Sequence, residues 1–527
     1  MSTPLAAVTR HAFREIRRGA LVVALAGAGM SAVVAVQYRT MFAGTLDSTA
    51  VRALAANPAI RVLFGPPVAL DDVGGFTVWR TGAGVQILLA VWALLAATRI
   101  TRGEEDAGRA DLLLAGRLRN SDLVTRRLGA VAGGTLATAA ALLVAMLATG
   151  TQPAGALVYT AGVLGTGLTF AAAGTLAAQV LPNRGAATGA AVALLVVDVL
   201  LRMLSDLSGG GTPLAWLAWL TPFGLTVRTA PYADNRVTPL VVLITVAALL
   251  AAAAIATARH RDVGGALVAV RTTRRPRVRL LGSLTGFAIR RALRPTTGWV
   301  LGVAAYFLFV GALATSILQF LQDNPRFADL ATTAGFPHLQ TAPGLAAAMF
   351  GLLAIPAGLY AATRIAALAA DETSRRWTTV LALPITRTRL AATEAATTAA
   401  GILTLAVVAG LALWAGSPVD LDTALDGALN ATPVAALSLG AAVLALGWAP
   451  RAVAAIGSLP VAGGFLLLVI ARSAHAPDWV AGLSPFAHLS PVPYAPPDWA
   501  ATAILIAAAA LLTALGLAGY TRRDLTT

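Results

Sequence analysis

The sequence predicts an all-α integral membrane protein: twelve transmembrane helices as two parallel six-helix repeats, with short cytoplasmic amphipathic helices. Three observations predict it. Of 527 residues, 57% are hydrophobic and only 12% charged, whereas a soluble globular chain carries about 25% charged residues. Apolar runs of about 20 residues, enough to cross the hydrocarbon layer of a bilayer, recur along the whole chain. Short stretches of the first half return in the same order in the second.

The N-terminal stretch "TRHAFREIRRGA" is basic and helical in pattern, and the apolar run Ala20 to Tyr38 follows it. A signal peptide has this layout, but the run is long and many spans follow, so it reads as a retained first span. The next spans are expected at 83–100, 127–149, 155–180, 186–204 and 238–258. A polar linker runs from Arg259 to about Pro295, and six more spans are expected at 298–319, 344–362, 393–415, 430–449, 452–473 and 499–520. The chain therefore divides into a first repeat (1–265), a cytoplasmic linker with a lead-in helix (266–295) and a second repeat (296–527). Between the first two spans, 39–82 forms a long outer loop, in which "STAVRALAANPAIRVLFG" suggests an amphipathic helix at the membrane surface. The outer loops 205–237 and 474–498 are rich in Pro, Gly, Trp and Tyr, as in the aromatic belt at a membrane interface.

Arginine placement supports this topology. With both termini inside, 30 of the 39 basic residues fall on the cytoplasmic side, the bias of the positive-inside rule. The net charge of +15 reports that orientation, and nucleic-acid binding is not expected. All the basic residues are arginine. A P-loop needs a lysine to reach the β- and γ-phosphates, so the chain carries no Walker ATPase of its own. Cysteine is absent, which excludes thiolate chemistry. No HExxH, GxSxG or clustered carboxylate set appears, and no catalytic, cofactor or metal site is expected. Acids avoid the spans, so the relay of a proton-coupled carrier is missing. The exception is Asp198 with Arg202 one turn later, read as a mutually neutralising pair within the membrane.

The repeat rests on several matches. "AATRI" stands at 96–100 and 361–365. A shift of 267 places Glu105 on Glu372, Arg109 on Arg376, Leu114 on Leu381 and Leu123 on Leu390. Pro182 and Gly189 fall on Pro450 and Gly457. "TPFGLTVRTAPYA" at 221–233 matches "SPFAHLSPVPYA" at 484–495, and the halves end in "RHRDV" (259–263) and "TRRDL" (521–525). Six spans return a chain to its starting side, so the copies share one orientation, the parallel type of repeat.

In each copy a charged segment separates the second and third spans: "EEDAGRADLLLAGRLRN" (104–120) and "DETSRRWTTVLALPITRTRL" (371–390). Glu105 and Arg109, and Glu372 and Arg376, stand four apart, one turn along one helix face. Leu112 to Leu114, and Leu381 with Leu383, follow. Segment 101–127 holds six arginines against five acids, too balanced for a lipid-binding strip and better suited to protein docking. An ordinary solvated interspan helix remains the alternative.

These features resemble ABC-2 type exporter permeases, in which the helix after the second span reads roughly E-x3-(K/R)-x4-L-x3-P-(I/V)-(S/T)-R. Copy two matches with Glu372, Arg376, Leu381 and "LPITR" at 383–387. Copy one keeps Glu105, Arg109 and Leu114 but reads "GRLRN" in place of the proline motif, so unequal docking sites are expected. The fused twelve-span form is similar to actinobacterial permeases of the polyketide-antibiotic or tetronasin type. The resemblance implies a plasma-membrane exporter subunit for hydrophobic or amphiphilic small molecules, with ATP and Mg bound by two copies of a separate ATP-binding subunit. It implies coupling helices that dock on that partner through Glu104, Glu105, Arg109, Leu113 and Leu114, and through Glu372, Arg375, Arg376, Leu381, Pro384 and Arg387. It also implies outer gates between the last two spans of each half, with Trp219, Pro222, Phe223 and Tyr232, and Pro485, Phe486 and Tyr494. The rival reading is a major-facilitator-like secondary drug transporter, whose 2–3 loop motif "EEDAGR" also resembles.

Overall fold

A computed structural model describes residues 4–42, 61, 64–116, 118–207, 214–268, 280–323, 338–373, 377–473 and 477–523. Among them the chain is entirely helix, turn and loop, without a strand. Twelve helices are long and apolar enough to cross a membrane. The chain divides into two units, Met1–Arg274 and Arg275–Thr527; six of the twelve lie in each.

The first unit contains α1 (Pro4–Phe42), α2 (Val73–Ile100), α3 (Arg102–Asp106), α4 (Arg109–Leu114), α5 (Asn120–Ala148), α6 (Pro153–Val180), α7 (Arg184–Leu207), α8 (Pro222–Arg228) and α9 (Thr238–His260). The expected basic lead-in and first span form a single helix of 39 residues, because nothing in "REIRRGALVV" breaks the backbone ladder. Helix α6 is the unit's axis, packed against α2, α5, α7 and α9. Its small residues permit this: a Cβ at Gly162 would lie 2.6 Å from Thr226 Cγ2, and one at Gly165 2.6 Å from Leu243 Cδ2. The surface helix expected within 39–82 falls mostly outside the described residues.

The second unit contains α10 (Leu284–Asp323), α11 (Ala342–Thr373), α12 (Thr378–Leu381), α13 (Arg387–Gly416), α14 (Leu421–Asn430), α15 (Thr432–Trp448), α16 (Val453–Ser458), α17 (Gly464–Ser473), α18 (Asp478–Gly482) and α19 (Trp499–Arg522). Here too the lead-in "GFAIRRALR" is continuous with the first span. The span expected at 430–449 is longer and jointed, running from Leu421 to Trp448. Pro433 cannot donate to the Leu429 carbonyl four residues back, and the Thr432 hydroxyl donates to it instead, at 2.7 Å. The span expected at 452–473 is also jointed, by a π turn over Leu459–Gly463 that contains Pro460, a recognised cause of helix irregularity.

A single apolar core fills the second unit, with Phe307 stacked on Phe350 at 5.4 Å and Tyr360 fully buried. Its closest crossing is α15 on α19. A Cβ at Gly516 would lie 2.3 Å from the Val443 carbonyl oxygen, and one at Gly447 would lie 2.3 Å from that of Gly516. Backbone meets backbone there, with no flexible side chain to yield. Gly516→Val is therefore expected to cost about 1–3 kcal/mol by overpacking. Thermal unfolding of the detergent-solubilised protein should show a lower midpoint, while Gly482→Val, at a position with nothing within 4 Å, leaves it unchanged.

Candidate coupling sites at the charged helix ends

The segment after α2 does not form the continuous helix expected of it. Thr101 leaves helical geometry at φ −102°, ψ −86°, and Gly108 takes a left-handed φ of 70° between α3 and α4. That conformation favours glycine. The break cancels the one-turn register of Glu105 and Arg109. Arg109 instead reaches back to Glu104, with Nε donating to Oε2 at 2.9 Å and Nη2 donating to Oε1. This hydrogen-bonded carboxylate holds the Arg109 guanidinium above its ordinary pKa. His11 and Glu15 also approach Glu104, but Arg109 occupies both of its oxygens, so the group is an ion-pair cluster.

Glu105 turns inward. Arg102 Nη1 donates to its Oε2 at 2.9 Å, and Arg261 Nη2 donates to its Oε1 at 2.6 Å. All three side chains are only 2% exposed. Arg102 also donates to the carbonyls of Pro182, Gly264 and Gly265. Arg261 donates to Gln179 Oε1 at 2.9 Å and to the Gly265 carbonyl at 2.5 Å. Asp106 accepts from the backbone N–H of Arg184 at 2.7 Å, at the start of α7, where the helix dipole favours an acid. One network thus fastens the ends of α2, α6, α7 and α9.

The second unit makes the same kind of bond. Arg523 Nη2 donates to both carboxylate oxygens of Glu372, at 2.6 and 2.7 Å. Arg387 Nη1 donates to the Arg523 carbonyl at 2.9 Å, which adds the start of α13. Nearby, Glu394 lies between Arg364 (2.9 Å) and Arg291 (3.1 Å), and Arg291 also meets Asp371 at 3.1 Å. The Arg291 guanidinium lies over the Trp377 ring at 4.6 Å.

Glu105 and Glu372 correspond in the sequence register, and so do Arg261 and Arg523, the second arginines of "RHRD" and "TRRD". Those arginines stood out only as span ends, and sequence spacing could not show that the chain returns them to the glutamates. Arg102, Gln179, Arg291, Arg364 and Glu394 gave no signal of their own. Arg375 and Arg376 lie outside the described residues.

Of the leucines, Leu113 and Leu114 are half-buried, and Leu381 packs on the core of its unit. The apolar side chains left facing outward are Leu112, 79% exposed, and Leu383, 57% exposed; Pro384 beside Leu383 is exposed too.

The residues named for the other end of each unit divide between the two. Tyr232 is buried, wedged where a Cβ on Gly74 or Gly155 would overlap its ring, and its hydroxyl donates to Thr151 Oγ1 at 3.0 Å. Burial pushes its phenol up to about 12, against the opposing Thr151 hydrogen bond. Phe223 is buried against Phe170, with ring centres 5.9 Å apart. Pro222 opens α8 behind the Thr221 cap. Trp219 is 41% exposed, and the Arg228 guanidinium lies 5.0 Å from its ring centre. In the second unit, Pro485 opens a single 3-10 turn, Phe486 meets Phe465 edge-on, and Tyr494 is exposed and stacked on His338. The expected Asp198–Arg202 pair is not formed. Arg202 Nε donates to Asp206 Oδ2 at 2.7 Å, one turn further on, while the buried Asp198 Oδ2 has no partner.

A twelve-span chain with fastened charged ends is a membrane permease in architecture, and the comparisons with known proteins agree. The family model described as "Multidrug efflux system permease Rv1217c, C-terminal domain" matches residues 81–259 and 281–521. The chain is also 31% identical over 494 residues to the multidrug efflux system permease protein Rv1217c of Mycobacterium tuberculosis, covering 90% of this chain and 87% of that protein. The chain belongs to this permease family, as a multi-pass bacterial membrane protein.

The Glu372–Arg523 bond gives a direct test. Removing one partner of a fully buried ion pair costs about 3–5 kcal/mol, because the other charge stays behind uncompensated; Arg523 is 18% exposed, so losing its bond to Glu372 costs less than that. Glu372→Ala and Arg523→Ala should each lower the unfolding midpoint, and the charge-swapped double variant E372R/R523E should recover more than half of the loss. Thermal melts of the purified variants read both effects.

Proposed function

We propose that the chain is the membrane subunit of an ATP-driven ABC exporter of hydrophobic or amphiphilic small molecules, in the manner of a multidrug efflux permease. It has no ATPase site of its own, and two copies of a separate ATP-binding subunit, carrying ATP and Mg, dock at its two charged helix ends. The two units are copies of one six-span ABC-2 type permease repeat, with both termini on the cytoplasmic side of a plasma membrane of actinobacterial kind.

The observation that carries this reading is the buried Glu105–Arg261 bond and the partly buried Glu372–Arg523 bond at matching places in the two units. Each joins the end of the second span to the end of the sixth, so a push at that end reaches several spans together. Docking then falls to the apolar side chains left outside the network, Leu112 on α4, and Leu383 with Pro384 after α12. Glu105, Glu372 and Arg387 transmit rather than touch the partner. Bound nucleotide must favour one arrangement of the spans over another, or no population shift follows.

Leu112→Glu and Leu383→Glu should leave expression and thermal stability unchanged. Each should reduce recovery of the ATP-binding subunit in a pull-down from native membranes by about tenfold, and the pair should abolish substrate-stimulated ATP hydrolysis. Full recovery with both variants would remove the docking assignment. Efflux that survives an inactive ATPase but stops when a protonophore dissipates the proton gradient would favour the secondary-transporter reading.

A further inference from the structure

The first unit contains a partly open cavity with a buried guanidinium in its wall. Phe64, Trp79 and Phe223 supply apolar and aromatic wall, and Arg202, Gln86 and Thr226 supply polar wall. About 50 Å³ of it is wide enough for a water-sized group, and the remainder opens outward. That is room for a few waters or one small headgroup, not for a whole drug-sized molecule.

The polar wall is partly committed. Gln86 Nε2 donates to the Gly82 carbonyl, its Oε1 accepts from Thr166, and Thr226 Oγ1 donates to the Pro222 carbonyl. Arg202 differs. It is 4% exposed, and its one hydrogen bond among the described residues is Nε to Asp206. Its two terminal nitrogens have no partner there. Gly65 leaves them room, since a Cβ at that glycine would lie 2.9 Å from Nη2. Asp206 lies within electrostatic reach of Arg61 as well as Arg202, so one carboxylate faces two guanidinium groups. Asp198, one turn before Arg202, forms no ion pair with it among the described residues.

The second half lacks this chemistry. In the sequence register, Gln86 corresponds to Leu353, Arg202 to Ile470 and Thr226 to Leu489. The second half thus carries apolar residues at all three sequence positions, and its six spans form without this polar set. A charged side chain within a membrane span is costly to retain and marks a functional site by default. The free Nη1–Nη2 edge of an arginine matches the two oxygens of a carboxylate or phosphate.

We propose that this cavity binds an anionic amphiphile, with the oxyanion headgroup on the free edge of Arg202 and the apolar chain laid over Phe64 and Phe223. The site belongs to the first half alone. It does not depend on the ATP-driven reading, because binding is measured without nucleotide.

The test uses the full-length protein in phosphatidylcholine nanodiscs and a diazirine-bearing palmitic acid, with cross-links mapped by mass spectrometry. Saturable labelling is expected on the peptides lining the cavity, and none at the matching peptides of the second half. Unlabelled palmitate should displace it if a carboxylate is preferred, phosphatidylglycerol if a phosphate is preferred, and neutral hexadecanol should not. R202M/D206N, which removes both charges together, should reduce labelling at least tenfold. Thr226→Leu, which introduces the second half's residue and keeps the charges, should reduce it too. Displacement by hexadecanol as effective as by palmitate and phosphatidylglycerol would overturn the proposal. So would wild-type labelling in both variants, or equal labelling of the two halves.

Discussion

A buried carboxylate at the end of a membrane span is unstable alone. It must find a positive partner, and in each unit the partner comes from the far end of that unit's sequence. Glu105 meets Arg261 across 156 residues, and Glu372 meets Arg523 across 151. The geometry around the first pair follows from that demand. Arg102 and Gln179 add hydrogen bonds to the two ions, the carbonyls of Pro182, Gly264 and Gly265 accept from the arginines, and Asp106 caps α7. The low dielectric that makes the pair strong also makes it unforgiving, since losing either ion leaves the other buried and uncompensated.

The two units meet the demand differently. The first distributes its ions: Arg102 and Arg261 share Glu105, while Arg109 stands outside on Glu104. The second gathers a further cluster around Glu394, bounded by Arg291, Arg364 and Asp371. The register position of Glu394 is Arg127 in the first unit, buried as well, so the sign of the charge is reversed between the halves. The outward apolar features differ too, with Leu112 on a short helix in one and Leu383 in a proline turn in the other.

Much of the architecture is legible in the sequence because hydrophobicity and length decide it. The twelve spans follow from apolar runs, and most of their boundaries fall close to the expected ones. Joints inside spans were not legible, because Pro433 and Pro460 are tolerated in membrane helices when another donor or a wider turn compensates. The charged ends were half legible. Their residues were identified, but Glu105–Arg109 was paired on the assumption of an unbroken helix, which the left-handed Gly108 removes. Asp198–Arg202 failed for another reason: Asp206 also stands one turn from Arg202, and spacing alone cannot choose between two acids. Partners distant in sequence, such as Arg261 and Arg523, have no local signature.

The unbroken first helix has a mechanical consequence. At 39 residues and 1.5 Å per residue, α1 is about 58 Å long, nearly twice the hydrocarbon thickness of about 30 Å. Its basic half and its apolar half are one continuous helix, packed against α2 and α5. A change in tilt of the embedded part would therefore move the charged end with it.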